Sequence, residues 1–123
     1  MIEAWLYLAL RSEGPGDLDC MSHFVPLCSV SETPRDGEVC EITAGDRVFC
    51  VGRVAGELFV MDNVCPHRGG PLGQGVIEKG HVVCPWHAWA FDGKTGCASH
   101  NSQACVRVYA IRIEGGIVQI ELD

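Results

Sequence analysis

The chain lacks the apolar segment that a membrane anchor needs. Its apolar stretch at residues 4–10 is seven residues long, whereas a bilayer-spanning helix takes about 20. Glu3 precedes this stretch instead of a basic segment, and no small-residue cleavage site follows it. We therefore expect neither a signal peptide nor a membrane partner, and we expect a cytoplasmic protein.

Basic residues are also scarce. Nine Lys and Arg stand against sixteen Asp and Glu, which gives a net charge of −7 with His neutral. A nucleic-acid-binding surface needs clustered positive charge, so we expect no nucleic-acid partner. The acidic balance suits a partner with a basic patch, although the same charge would also simply keep the protein soluble.

Several patterns that indicate enzymes or helical folds are missing. The sequence has no sustained helical period, no internal repeat, no phosphate-binding Gly loop and no nucleophile–base pair. Its 123 residues suit one domain. Fifteen Gly, many beside β-branched runs, favour an all-β domain with many turns.

Short apolar stretches separated by Gly-containing turns predict antiparallel strands. Three pairs are joined in this way: 39–42 with 48–51, 53–54 with 58–61, and 106–113 with 117–122. In the last stretch Val118, Ile120 and Leu122 share one face, opposite Gln119 and Glu121. This alternation predicts a half-buried strand.

Composition also suggests how the chain is divided. Residues 1–20 are predicted to form an N-terminal extension, with a loop or linker at 11–20. The alternative is a short helix over 3–11 that packs on the domain. The working domain is predicted at 21–123 and begins with a strand. The Gly- and Pro-rich segment 62–98 suits an inserted subdomain ordered by a metal centre instead of buried area.

Two clusters carry the chemistry of this chain: Cys65-Pro66-His67-Arg68-Gly69-Gly70 and Cys84-Pro85-Trp86-His87. Each supplies a thiolate and an imidazole, and sixteen residues separate His67 from Cys84. Two soft sulfur ligands and two nitrogen ligands can hold a metal centre. The Pro after each Cys stiffens its loop. The Gly pair of the first cluster would let the backbone approach the metal and aim N–H groups at sulfur.

The paired boxes resemble the cluster-binding boxes of Rieske proteins, where two Cys and two His bind [2Fe–2S]. The resemblance covers roughly residues 22–123. It includes further matches outside the boxes: Pro71-Leu72, Gly75, Trp89, Phe91-Asp92 and Thr95-Gly96.

This resemblance implies one [2Fe–2S] cluster, with Cys65 and Cys84 on one iron and His67 and His87 on the other. It implies an all-β, Rieske-type fold of three small antiparallel sheets, with a cluster-binding subdomain inserted into a β-sandwich-like base. It also implies that the end carrying the two His is the face for docking and electron exit.

Residues between the ligands indicate the kind of centre. High-potential members have an extra Cys in each box, at the positions held here by Gly70 and Trp86. They also place Ser and Tyr hydroxyls on the sulfurs, at the positions held here by Trp89 and Phe91. Without these donors we expect a reduction potential in the lower part of the range from about −150 to +300 mV. Trp86 and Trp89 would pack against the second ligand loop, shield the cluster from water, or do both. Arg68 would either contact a docking partner or simply be solvated.

The resemblance therefore implies a soluble Rieske ferredoxin. Such a protein carries single electrons from a flavin-dependent ferredoxin reductase to a terminal aromatic-ring-hydroxylating oxygenase, and it is not itself an enzyme. Because the sequence ends at Asp123, we expect it to carry no mononuclear-iron domain of an oxygenase large subunit. One alternative is a small Rieske subunit of a larger reductase such as nitrite reductase. Another is a structural zinc-binding interaction module, although each box mixes Cys with His, unlike the usual zinc-finger spacing.

The remaining Cys and His match no box position. Six Cys are expected to be reduced, small apolar residues: Cys20, Cys28, Cys40, Cys50, Cys97 and Cys105. His23, His81 and His100 are expected at the surface or in turns. The stretch 98–110 has no Pro, whereas many such ferredoxins cover the cluster with a Pro-containing loop there, so the rigidity of this loop stays open.

Overall fold

The computed structural model describes residues 23–66, 69–86 and 88–122. These residues contain twelve strands and two short 3₁₀ turns, Val30–Glu32 and Leu72–Gln74. The strands are β1 (His23–Ser29), β2 (Val39–Ala44), β3 (Arg47–Val54), β4 (Glu57–Asp62), β5 (Val76–Glu78), β6 (His81–Val83), β7 (Ala90–Asp92), β8 (Cys97–Ala98), β9 (Asn101–Cys105), β10 (Val108–Tyr109), β11 (Ile111–Glu114) and β12 (Ile117–Leu122). No helix in these ranges is long and apolar enough to cross a membrane.

The strands form three antiparallel sheets, as predicted. Their orders are β1-β12-β11, β10-β4-β3-β2 and β5-β6-β7-β8-β9. The chain divides into two compact units. Among the described residues, the terminal unit joins residues 23–32 with residues 110–122 and holds the first sheet. The central unit, Thr33–Tyr109, holds the other two sheets and both candidate ligand loops.

The predicted hairpins of the central unit are confirmed. β2 and β3 pair from Val39↔Gly52 to Ala44↔Arg47, and β3 continues into β4. Ala55 and Gly56, between β3 and β4, have φ angles of 52° and 81°. Positive φ at both positions is typical of the type I′ turn, whose twist matches that of the flanking strands.

The prediction of one strand over 106–113 is wrong. Val108 and Tyr109 pair with Met61 and Val60 of β4, whereas β11 pairs with β12. The stretch therefore divides between two sheets at Ala110. An alternation of apolar and polar residues indicates which face of a strand is buried, but it does not indicate which strand pairs with it.

Gln119 departs from the half-buried pattern predicted for β12. It is only 1% exposed, and its neighbours Val118 and Ile120 are fully buried. The Nε of Arg112, opposite it on β11, donates to Gln119 Oε1 at 2.9 Å. This hydrogen bond compensates the amide for the loss of water, so a polar side chain is accommodated at a buried position.

The central unit has one apolar core. Its buried members are Cys50, Phe59, Met61, Cys65, Leu72, Val82, Cys84, Phe91, Ala98 and Val106. Leu72, Val82 and Phe91 have no exposed surface, and all three belong to the segment 62–98. Its composition led us to expect that a metal centre would order this segment instead of buried area. The segment does contribute buried apolar side chains, so the part of the expectation that denied it buried area is wrong.

Candidate metal centre

The first ligand loop is the tip of a short hairpin that follows β4. At the hairpin base the N–H of Leu72 donates to the carbonyl of Asn63 at 2.8 Å. At the tip the N–H of Cys65 donates to the carbonyl of Gly70 at 2.9 Å, and the N–H of Gly69 donates back to the carbonyl of Cys65 at 2.7 Å. Gly69 has a φ of 81°, which glycine adopts without steric cost.

The second ligand loop joins β6 to β7. The N–H of Cys84 donates to the carbonyl of Trp89 at 2.8 Å, and the N–H of Ala88 donates to the carbonyl of Cys84 at 2.9 Å. Ala88 has a φ of 60°. A residue with a Cβ pays a steric penalty in this region, so the loop holds Ala88 in a strained conformation.

The two loops share one construction. Each runs over six residues, from Cys65 to Gly70 and from Cys84 to Trp89. In each, the Cys hydrogen-bonds to both the fourth and the fifth residue after it, and the fourth residue has positive φ. The two boxes therefore differ in their Cys–His spacing, although their loops are closed by the same pattern of backbone hydrogen bonds.

Both predicted sulfur ligands are buried in the central core. Cys65 is 1% exposed and Cys84 is 3% exposed. Neither forms a disulfide, so both side chains keep the thiol that a metal site requires. They share this core with Leu72, Val82 and Phe91, which exclude water from the sulfur side of the site.

Gly70 brings the two loops into contact. A Cβ at Gly70 would lie 2.7 Å from the Sγ of Cys84 and 3.1 Å from the nearest ring atoms of Trp86. Only a residue without a Cβ allows this approach. Two buried sulfurs on loops that meet at a glycine fit the sulfur half of a [2Fe–2S] site. Gly69 does not act as predicted, because its N–H is bound to the carbonyl of Cys65 and not to sulfur.

The two Trp of the second box differ in their surroundings. Trp89 is half-buried and packs on the core; its ring centroid lies 6.4 Å from that of Phe91 and 4.3 Å from that of His100. Trp86 remains 57% exposed although its ring borders Gly70. The predicted packing role holds for Trp89, whereas shielding of a cluster from water stays a prediction for both.

The stretch without Pro, 98–110, is anchored by hydrogen bonds and packing. The N–H of Val106 donates to the carbonyl of Gly96 at 2.7 Å, and the N–H of Asp62 donates to the carbonyl of Arg107 at 3.0 Å. Val106 is buried in the core that also holds both ligand Cys. Backbone hydrogen bonds within the central unit therefore hold this stretch in place without a Pro.

The predicted nitrogen ligands, His67 and His87, lie outside the described residues, and so does Arg68. Within the described ranges no group of three or more His, Cys, Asp or Glu side chains could hold a metal ion. His100 is exposed in the turn after β8, as expected. His23 and His81 are half-buried at the beginning of β1 and β6.

Cys97 and Cys105 correct the expectation that all non-box Cys are reduced. They lie opposite each other on β8 and β9 and form a disulfide. Cys28, Cys40 and Cys50 are not in disulfides, as expected, and Cys20 lies outside the described residues. The pairing follows from strand register, which brings residues 97 and 105 together across a hairpin and which Cys spacing alone does not reveal.

Other features of the site were not apparent in the sequence. The side chain of Asn63, two residues before Cys65, bonds to Glu41 on β2. An Asn just before a ligand Cys is a weak signal, and nothing local indicates its partner. Ala88 gave no signal at all, because positive φ is usually anticipated only at glycine or asparagine.

Comparison with known proteins identifies relatives along most of the chain. The Rieske [2Fe-2S] domain model matches residues 18–110. The anthranilate 1,2-dioxygenase ferredoxin subunit of Burkholderia cepacia is 34% identical over 105 residues, which cover 83% of this chain and 94% of that protein. The naphthalene 1,2-dioxygenase system ferredoxin component of Pseudomonas aeruginosa is 31% identical over 103 residues, covering 81% and 96%. The solved structure of the Sphingomonas yanoikuyae B1 ferredoxin has a TM-score of 0.72 at 32% identity, covering 82% of this chain and 100% of that one.

Proposed function

The chain belongs to the Rieske [2Fe-2S] domain family, and we propose on that basis that it is the ferredoxin of an aromatic-ring-hydroxylating oxygenase system. It takes single electrons from a flavin-dependent reductase and delivers them to the terminal oxygenase. In this role it is an electron carrier and not an enzyme. Family membership also establishes the cofactor as one Rieske-type [2Fe–2S] cluster, which when bound accepts and releases one electron.

The match with ferredoxin components over nearly their whole length carries this proposal. The aligned region covers 94% and 96% of two relatives whose names describe the ferredoxin of a dioxygenase system. We likewise propose that residues 21–123 form the Rieske domain and that residues 62–98 approximate its cluster-binding subdomain.

Four residues are proposed as ligands: Cys65 and Cys84 on one iron, His67 and His87 on the other. The burial of both Cys and the matching closure of their loops support the sulfur pair. The family pattern supports the two His. Neutral imidazoles in place of two thiolates make the cluster less negative, which favours its reduction relative to a four-Cys cluster.

Absorbance and EPR spectra of the purified protein test the cofactor and its ligands. We expect a red-brown protein whose reduced form gives a Rieske EPR signal, whereas a colourless zinc protein would refute the cluster. His87→Cys should lose the Rieske signal while keeping a cluster, and His23→Cys in β1 is the matched control. An unchanged signal in His87→Cys would refute His87 as a ligand.

Reconstitution tests the carrier role. With a flavin-dependent reductase and an aromatic-ring oxygenase, product formation should depend on this protein. Each reduced molecule should deliver one electron to the oxygenase. Oxidation of the reduced protein that is no faster with the oxygenase than without it would reject this partner.

A further inference from the structure

Asn63 closes the base of the hairpin that carries the first ligand loop. Its backbone carbonyl accepts a hydrogen bond from the N–H of Leu72 at 2.8 Å. Its side-chain Oδ1 accepts another from the N–H of Gly73 at 2.7 Å. Asn63 is 8% exposed and precedes Cys65 by two residues. Asn63 therefore hydrogen-bonds the two sides of the hairpin to each other, two residues before the proposed ligand Cys65.

Glu41 joins this base to β2. Its Oε2 accepts a hydrogen bond from Asn63 Nδ2 at 2.7 Å. Its Oε1 accepts another from Gln74 Nε2 at 3.2 Å. The carboxylate thus binds the chain on both sides of the ligand loop, before it at Asn63 and after it at Gln74. Hydrogen bonds to an ionised acceptor are stronger than those between neutral groups.

Gly73 shows how closely these groups pack. A Cβ at Gly73 would lie 2.5 Å from Glu41 Cγ, 2.8 Å from Asn63 Oδ1 and 2.9 Å from the carbonyl oxygen of Cys40. The hairpin base therefore lies directly against β2, with no room for an added methyl group. The arrangement allows little displacement of Asn63 relative to the sheet.

We propose that Glu41 and Asn63 are positioning residues that hold the first ligand loop in the geometry the cluster requires. Neither is a proposed ligand, and both act through the hairpin that carries Cys65. Since the hairpin is short and tied at its base, a displacement of the base moves the loop at its tip. This inference rests on the proposed function, because it assumes that Cys65 binds the cluster.

Exchanging the carboxylate of Glu41 with the amide of Asn63 tests the proposal. Asn63→Asp places a second carboxylate against Glu41 and removes the donor between them. The double variant Glu41→Gln with Asn63→Asp restores a donor and an acceptor, now in the opposite direction. In both variants the Asp keeps an oxygen that accepts from Gly73. The measurements are the rate of iron loss to a chelator and the EPR g-values of the reduced protein.

We expect Asn63→Asp to lose iron on the order of tenfold faster than wild type, the effect of one broken part-buried hydrogen bond. Its g-values should shift, and the double variant should recover both the wild-type rate and the wild-type g-values. The proposal would be overturned if Asn63→Asp kept the wild-type rate of iron loss and g-values, or if the double variant did not recover them.

A second pair of variants serves if Asn63→Asp does not fold. Glu41→Ala removes an exposed carboxylate that accepts from Asn63, whereas Glu57→Ala removes an exposed carboxylate that pairs with Lys94 at 3.8 Å. Faster iron loss in Glu41→Ala alone supports the proposal, and equal rates overturn it. A wild-type protein without a Rieske signal would instead refute the proposed function, so the two failures are distinguishable.

Discussion

A Cβ on Gly70 would stand 2.7 Å from the sulfur of Cys84. That separation is shorter than a carbon and a sulfur tolerate without moving apart. Gly70 ends the first ligand loop and Cys84 begins the second, so this contact fixes how closely the loops approach. In this structure the contact leaves no room for a side chain at residue 70 unless the two loops move apart.

Gly70→Ala is therefore expected to weaken the site. The added methyl group must displace Cys84 or the first loop, at a cost of about 1–3 kcal/mol for an overpacked position. We expect iron content per chain to fall well below that of wild type, measured by a colorimetric iron assay on freshly purified protein.

Gly45→Ala is the control for this variant. Gly45 has a φ of 67° in the β2–β3 turn, and a Cβ there meets nothing within 4 Å. This variant should lose about 1 kcal/mol of stability through backbone strain yet keep its iron. Equal iron content in the two variants would show that the Gly70 contact does not matter.

Ala88→Gly is expected to stabilise the protein. Ala88 has a φ of 60°, and glycine removes the Cβ penalty of about 1–2 kcal/mol, offset partly by its greater freedom in the unfolded chain. Thermal unfolding should show a higher midpoint. Ala55→Gly, at a φ of 52° in the β3–β4 turn, is the matched control outside the ligand loops and should give a similar gain. If Ala88→Gly lowers the midpoint while Ala55→Gly raises it, the positive φ of Ala88 in the second ligand loop would be contradicted.

The reduction potential is expected below about +100 mV, within the lower part of the Rieske range. Phe91 is fully buried and packs near Trp89, and neither side chain carries a hydroxyl to donate to sulfur. Without such donors the negative charge added on reduction is less stabilised. A redox titration followed by absorbance measures the potential, and a midpoint above about +100 mV would contradict this prediction.

Tyr109 is expected to contribute stability that alkali removes. Its hydroxyl donates to Asp62 Oδ1 and accepts from Arg47 Nη2 at 2.7 Å. Burial, followed by the Asp62 carboxylate, raises the pKa of Tyr109, and Arg47 opposes this only in part. The phenol therefore stays protonated in the folded protein at a pH where it ionises in the unfolded chain. Its contribution is present below about pH 10 and is lost as pH rises from there through the folded pKa.

Tyr109→Phe tests this contribution. Near pH 8 we expect the variant to be less stable by about 1–2 kcal/mol, because two partners of the hydroxyl lose a hydrogen bond. Urea unfolding at several pH values should show this difference shrinking above pH 10. A stability difference between wild type and Tyr109→Phe that instead grows above pH 10 would show that the pKa of Tyr109 is not raised in the folded protein.

The Cys97–Cys105 disulfide is expected to stabilise the β8–β9 hairpin. The two Cys are eight residues apart, and closing so short a loop contributes about 2.5 kcal/mol by loop entropy. Replacing both by Ser should lower the urea midpoint and abolish its sensitivity to reductant. Alkylation without prior reduction, followed by mass spectrometry, provides the direct check. Labelling of both Cys in the native protein would exclude the disulfide.

Local patterns accounted for the hairpins but not for every partner. The turns at Gly45 and Gly56 were evident because glycine marks positive φ between apolar stretches. Residues 106–113 looked like one strand because their alternation continues through Ala110. The structure divides them, because β4 accepts Val108 and Tyr109 at its edge while β12 accepts the residues that follow.

The sequence by itself determined the all-β class, the family and the Cys and His pattern of the candidate site, because these depend on residue types and spacings within short stretches. Only the tertiary structure decided that Gly70 touches Cys84, that Cys97 pairs with Cys105, and that Glu41 binds Asn63. The physical reason is that such contacts depend on strand register and on how separate elements pack. Neither is encoded in the pattern of any single segment.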